Sequence, residues 1–270
     1  MAFPMDPFSC PPLWTGGPDP SGYYSFPQIQ SRNASNFKGV SAGLKPQAHS
    51  QYPITTGTSV FGVKYKDGVV MAADTLGSYG SLARFPDLRR IIRVNEHTVV
   101  ACSGDYADFQ FLQEIIQQKQ IDEDINGGGV TMKPEALHCW LTRFLYNKRS
   151  KFDPLWTTVI VGGMQDDKPF LGYCNYIGVA FKDDLMATGI GMDVAVPIMR
   201  EVLDKKGVNE FTLEEAKDLI RQCVRVCFLR DCRSSSRFNM AVVNKDGAVV
   251  EEPTVVDTNW DIAKTIKGYE

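Results

Sequence analysis

The stretch Gly57 to Asp74, GTSVFGVKYKDGVVMAAD, constrains the fold of this chain more than any other. It holds a Gly-Thr step, two apolar runs and an Asp at the far end. Thr58 to Tyr65 and Val69 to Ala73 are apolar or β-branched, and Lys66-Asp67-Gly68 between them carries the Asp-Gly step that favours a tight hairpin. The pattern predicts a paired, largely buried hairpin.

A Thr directly after Gly, heading a strand whose partner ends in Asp, also matches how N-terminal nucleophile hydrolases lay out their catalytic end. Cleavage before such a Thr frees an α-amine whose unperturbed pKa, about 8, lets it act as base for the adjacent hydroxyl. Gly-Thr and Ala-Ala-Asp are common words, so a structural hairpin and a catalytic one are both open at this point.

With 270 residues, 43% hydrophobic and 23% charged, the chain has the size and composition of a soluble globular protein with a substantial core. A net charge of -3 argues against a nucleic-acid binder; the basic run Lys148-Arg149-Ser150-Lys151 reads as a solvated helix end. Seven cysteines, an odd number without a Cys-x-x-Cys pair, suggest neither a disulfide framework nor a zinc ribbon and fit a reducing, intracellular setting. His49, His97 and His138 are not spaced to complete a metal site, and no cofactor is expected. No stretch reaches the roughly 18 apolar residues of a membrane span.

Residues 1–49 are punctuated by Pro and Gly among Ser, Asn and Gln, and lack the basic start and apolar run of a secretory signal. They read as a removable leader or a partner-wrapping arm. Beyond the hairpin, Leu76 to Leu88 reads as a loop, followed by strands at Arg90 to Val94 and Thr98 to Cys102. A helix starts from Ser103-Gly104-Asp105 with Phe109, Leu112, Ile115 and Ile116 on one face, and a second opens near Pro134. Strands at Leu155 to Val161, Phe170 to Ile177 and Val179 to Phe181 precede a helix from Val194 to Leu203. The capping-box sequence Thr212-Leu213-Glu214-Glu215 then opens another. Strands at Phe238 to Val243 and Ala248 to Val250 and a polar tail, 254–270, close the chain. Blocks of strands separated by helix pairs point to an α+β, four-layer α-β-β-α sandwich, with two antiparallel sheets between helix pairs, built as one domain over 50–253.

From about Gly57 to Arg237 the chain resembles a proteasome β subunit, which has the N-terminal nucleophile hydrolase fold. The resemblance is carried in order by Gly57-Thr58, Gly68 to Asp74, Ser103 to Asp108, Gly189-Ile190-Gly191 and Arg230-Asp231. Ser78 to Phe85, Asn259-Trp260-Asp261 and the long tail resemble a non-catalytic branch of that family. Carried over by position, the family's nucleophile falls on Thr58, its hairpin Asp on Asp74, its oxyanion Gly on Gly104, its later Asp on Asp231 and its last Ser on Ser234. The catalytic Lys position holds Arg90, and a supporting Ser position holds Ile190. A guanidinium keeps its proton, so Arg90 cannot serve as the Lys does and is expected to pair with Asp74.

The resemblance further implies a leader trimmed near His49-Ser50, which leaves Thr58 inside a peptide. It implies a structural, non-catalytic β subunit of the 20S core particle of the ubiquitin-proteasome pathway, in the cytoplasm and nucleus. Its partners would be other β and α subunits in hetero-oligomeric seven-membered rings, assembly chaperones, and neighbours reached by the tail, with no nucleic acid or membrane among them. Two rival readings are an active threonine endopeptidase with Thr58 as nucleophile and a free-standing binding module.

Overall fold

The computed structural model describes residues 54–126, 131–265 and 268, so the expected leader and the His49-Ser50 cleavage site lie outside the described residues. The described chain begins with β1 (Thr55–Gly57), β2 (Val60–Tyr65) and β3 (Gly68–Asp74). β4 (Gly77–Tyr79), β5 (Leu82–Phe85), β6 (Ile91–Asn95) and β7 (Thr98–Asp105) follow, then the helix pair α1 (Tyr106–Asn126) and α2 (Pro134–Ser150). Next come β8 (Thr157–Gln165), β9 (Lys168–Cys174), β10 (Ala180–Lys182), β11 (Leu185–Ala187), α3 (Gly191–Val194), α4 (Val196–Lys206) and α5 (Leu213–Arg230). β12 (Arg237–Asn244), β13 (Gly247–Val250), β14 (Thr254–Val255) and a 3₁₀ turn at Asp261–Lys264 complete it.

The strands form two antiparallel sheets. One runs β10-β9-β8-β7-β1-β4-β5 with β6 also on β7; the other runs β11-β2-β3-β12-β13 with β14 on β12. Period-two alternation splits each strand between two cores. Val69, Met71 and Ala73 of β3 meet Val99, Ala101, Ile160 and Leu171 between the sheets. Val70 and Ala72 face Met199, Leu203, Leu219 and Val224 of α4 and α5. On the other side, Val100, Val159 and Cys174 meet Leu112, Ile116, Leu137 and Leu141 of α1 and α2. Three stacked apolar interfaces make the four-layer α-β-β-α sandwich expected from the element order.

The structure revises several element assignments. Leu76 to Leu88 is no simple loop: β4 and β5 pair as a hairpin at the sheet edge. The strand expected at Thr98 to Cys102 runs on to Asp105, because Ser103 and Gly104 pair with Thr158 and Thr157 of β8. Asp105 then caps α1 by accepting the Asp108 N–H (3.1 Å). The helix expected from Val194 divides at Ala195, with Pro197, which has no N–H to give, in the first turn of α4. β1, β11 and β14 are additional short strands. The tail folds back on its own domain as far as Trp260, whose ring meets Phe228 edge-on (5.9 Å).

Candidate functional site

Thr58 sits where β1 gives way to β2. Thr56 pairs with Asp105 of β7 and Ser78 of β4, while Gly57 pairs with Gly104, so β1 is an interior strand held on both sides. The Asp105 carboxylate accepts the Ile54 N–H as well (3.1 Å), fixing the chain one residue before β1.

Arg90 organises one side of this junction and is 2% exposed. Its Nε donates to the Asp74 carbonyl (3.0 Å), and Nη1 donates to the carbonyls of Thr58 (2.8 Å) and Cys102 (3.2 Å). Nη2 donates to the Ser59 carbonyl (3.1 Å) and to the Asp74 carboxylate. These contacts use every N–H of a guanidinium, leaving none for a ligand. The other Asp74 oxygen accepts the Ser235 N–H (2.9 Å). Burial pushes the Asp74 carboxyl above its usual range, while the Arg90 charge and the Ser235 N–H pull against that shift. Burial also pushes the neighbouring Cys102 thiol up to about 12, so it stays protonated. Gly57 is required by close approach, since a Cβ there would lie 2.3 Å from Arg90 Cδ.

On the other side, the Thr58 hydroxyl donates to Asp231 Oδ2 (2.5 Å), and Asp231 Oδ1 accepts the Arg233 N–H (2.9 Å). Ser234 contributes its backbone N–H to the Asp231 carbonyl (3.1 Å). Gly104, at φ 93°, and Ile190 line the same cleft of about 390 Å³ as Thr58 and Asp231, together with Trp156, Tyr176 and Arg233.

The structure therefore brings the sequence-derived positions to one place, in two subgroups: Arg90 with Asp74 behind Thr58, and Asp231 with Gly104, Ile190 and Ser234 in front. Sequence reasoning missed Ser59, whose Oγ accepts the Gly191 N–H (2.9 Å), and Thr188, whose Oγ1 accepts the Val60 N–H (2.9 Å). It also missed Trp156, Tyr176 and Arg233, which meet only in the folded chain. Among the described residues no cluster of His, Cys, Asp and Glu could hold a metal ion, and no helix is long and apolar enough to cross a membrane.

Comparison with known proteins places this geometry in a lineage. The family described as "Proteasome subunit" matches residues 54–243. The chain is 48% identical to proteasome subunit beta type-4 of Xenopus laevis over 228 residues, covering 84% of this chain and 93% of that protein. It is 40% identical to the Drosophila melanogaster beta type-4 subunit over 260 residues, or 96% of each chain. Against the beta type-7 subunit of Saccharomyces cerevisiae it is 37% identical over 251 residues, covering 90% of this chain and 94% of that one. A shared sequence over nearly the whole length, on the four-layer sandwich that orders these motifs, leaves one conclusion: this chain belongs to the proteasome subunit family.

Proposed function

We propose that the chain is a structural, non-catalytic β subunit of the proteasome core, contributing to ring assembly and so to ubiquitin-dependent protein degradation. The observation that carries this reading is the placement of β1 between β7 and β4, directly ahead of Thr58. Cutting the Gly57–Thr58 bond would free a nucleophilic amine only by cutting loose the strand that joins the β4–β5 hairpin to the rest of its sheet. Arg90 supports the same reading, because a guanidinium with all its donors engaged neither accepts the Thr58 proton nor moves toward it. Ile190 offers no hydroxyl for a proton relay.

On this reading residues 1–49 are a leader trimmed near His49-Ser50, which keeps β1 intact. Residues 50–253 form the ring-building domain, and 254–270 are its C-terminal extension, laid back on that domain as far as Trp260. The partners are other β and α subunits in seven-membered rings, met with the help of assembly chaperones in the cytoplasm and nucleus.

A threonine-directed electrophile such as an epoxyketone peptide tests the proposal, applied to the purified native complex and read by mass spectrometry. The expected result is labelling of other β subunits and none at Thr58. Covalent label on Thr58 would replace this reading with the endopeptidase one.

A further inference from the structure

We infer that the outer edge of β6, remote from the Thr58 cleft, is a docking site for an extended acidic segment of a partner protein, which adds to the sheet as a further strand. β6 and β1 lie end to end along one side of β7, β6 beside Thr98 to Ala101 and β1 beside Gly104 and Asp105, while β8 takes the other side. β1 carries β4 on its outer edge, whereas among the described residues no strand pairs with the outer edge of β6. The Arg90 carbonyl accepts the Cys102 N–H (3.0 Å), so the alternation of an antiparallel ladder gives β7 the backbone groups of Arg90 and Ile92 and turns those of Ile91 and Arg93 outward. These are the donors and acceptors that an added strand takes up.

A hollow lies on each side of that edge, and the two differ in chemistry. Toward α1 a space of about 380 Å³ is lined by Arg89, Arg93, Tyr106 and the glutamines 113, 117 and 120, with no carboxylate. Toward β13 a space of about 230 Å³ is lined by the same two arginines with Asn239, Val250, Glu251 and Glu252. Alternate side chains of an added strand enter the two hollows in turn, so acidic residues belong on the α1 side and uncharged ones on the β13 side. Both arginines are open to a new partner. Arg89 meets only Glu252, at 3.9 Å, with the two side chains 72% and 86% exposed, a contact worth little in water. Among the described residues Arg93 makes no ion pair; its Nε donates to the Asn95 carbonyl (3.2 Å), and both Nη groups are left to meet a carboxylate. The same charges argue against a second copy as the occupant. Pairing two β6 edges across a two-fold axis sets the arginines of one chain against those of the other.

The test titrates a fluorescent acetyl-Thr-Glu-Val-Glu-Val-Glu-Thr amide peptide, and its counterpart with Lys in place of Glu, into the full-length chain, with binding read by anisotropy. Saturable binding of the acidic peptide with a Kd of about 1 mM or tighter is expected. The Lys peptide should bind at least about tenfold more weakly, and Arg89→Gln combined with Arg93→Gln should cost the acidic peptide a similar factor. Hydrogen exchange, resolved to single amides by fragmentation mass spectrometry, separates strand addition from loose attraction. At saturation the Ile91 and Arg93 amides should exchange more slowly, with Ile92 unchanged. No saturable binding, equal affinity for the two peptides, unchanged binding by the double variant, or binding without slower exchange at Ile91 and Arg93 overturns the inference. So does a dimer of the chain alone that the acidic peptide disperses, since the edge then belongs to a second copy.

Discussion

Two buried basic side chains in this fold are housed in opposite ways. Arg90 is 2% exposed and gives hydrogen bonds to four backbone carbonyls and a carboxylate, a pocket built around a permanent charge. His138 of α2, 4% exposed, makes one such contact, from Nε2 to the Tyr173 carbonyl (2.8 Å), and its Nδ1 has no partner. Burial pushes the His138 pKa down, with Lys182 acting the same way and the Tyr173 carbonyl and Glu135 opposing. A guanidinium that cannot lose its proton fixes the chain around it. An imidazole that can stay neutral is simply packed.

Removing the charge from the first pocket should have the largest effect. Arg90→Ala leaves Asp74 buried without its counter-ion and removes a hydrogen bond from each of four carbonyls, and should cost about 3–5 kcal/mol in urea unfolding of the folded chain. A loss below about 1 kcal/mol would mean that water replaces the guanidinium and that the pocket is not built around it. Next comes Gly57→Ala, whose Cβ collides with the Arg90 side chain; it should destabilise by about 1–3 kcal/mol. Combined with Arg90→Ala its cost should shrink, since the collision partner is gone, and a double-mutant cycle reads that coupling.

The His138 pocket should answer to pH. Its folded pKa lies below the unfolded value of about 6.5, so the unfolded chain binds more protons as pH falls past that point. The contribution is intact above pH of about 6.5 and is lost progressively as pH drops toward the folded pKa. Thermal unfolding between pH 7.5 and 5 should show a decline that His138→Gln reduces; an unchanged decline would assign it to other groups. The smallest effect belongs to the exposed pair Lys205–Glu201, where Lys205→Ala should change stability by less than about 0.5 kcal/mol.

Local chemistry explains which parts of the fold were legible in the sequence. The β2–β3 hairpin follows from its Asp-Gly turn and β-branched runs. The start of α5 follows from Thr212 and Glu215, which form the expected capping box. Asp166 and Asp167 both take positive φ, as a tight turn between β8 and β9 demands. β1, β4, β5 and β11 are three or four residues long, too short for periodicity to register. They are strands because segments far away in sequence pair with them, as Gly104 does with Gly57. The candidate site divides in the same way. Family motifs marked the positions from Thr58 to Ser234, but Trp156 and Tyr176 look like ordinary core aromatics until the fold sets them beside Ile190. The saturation of Arg90 was equally hidden, because four of its acceptors are backbone carbonyls that no side-chain pattern reveals.

The central claim is that Thr58 directly follows a retained strand, β1, and never becomes an N-terminus. Intact mass and N-terminal sequencing of the chain purified from its native large complex test this most directly. The account predicts a mature end ahead of Thr55, near Ser50, with β1 preserved. A mature end at Thr58 would contradict it, since the strand that closes the sheet would be absent and a free amine would stand beside the hydroxyl.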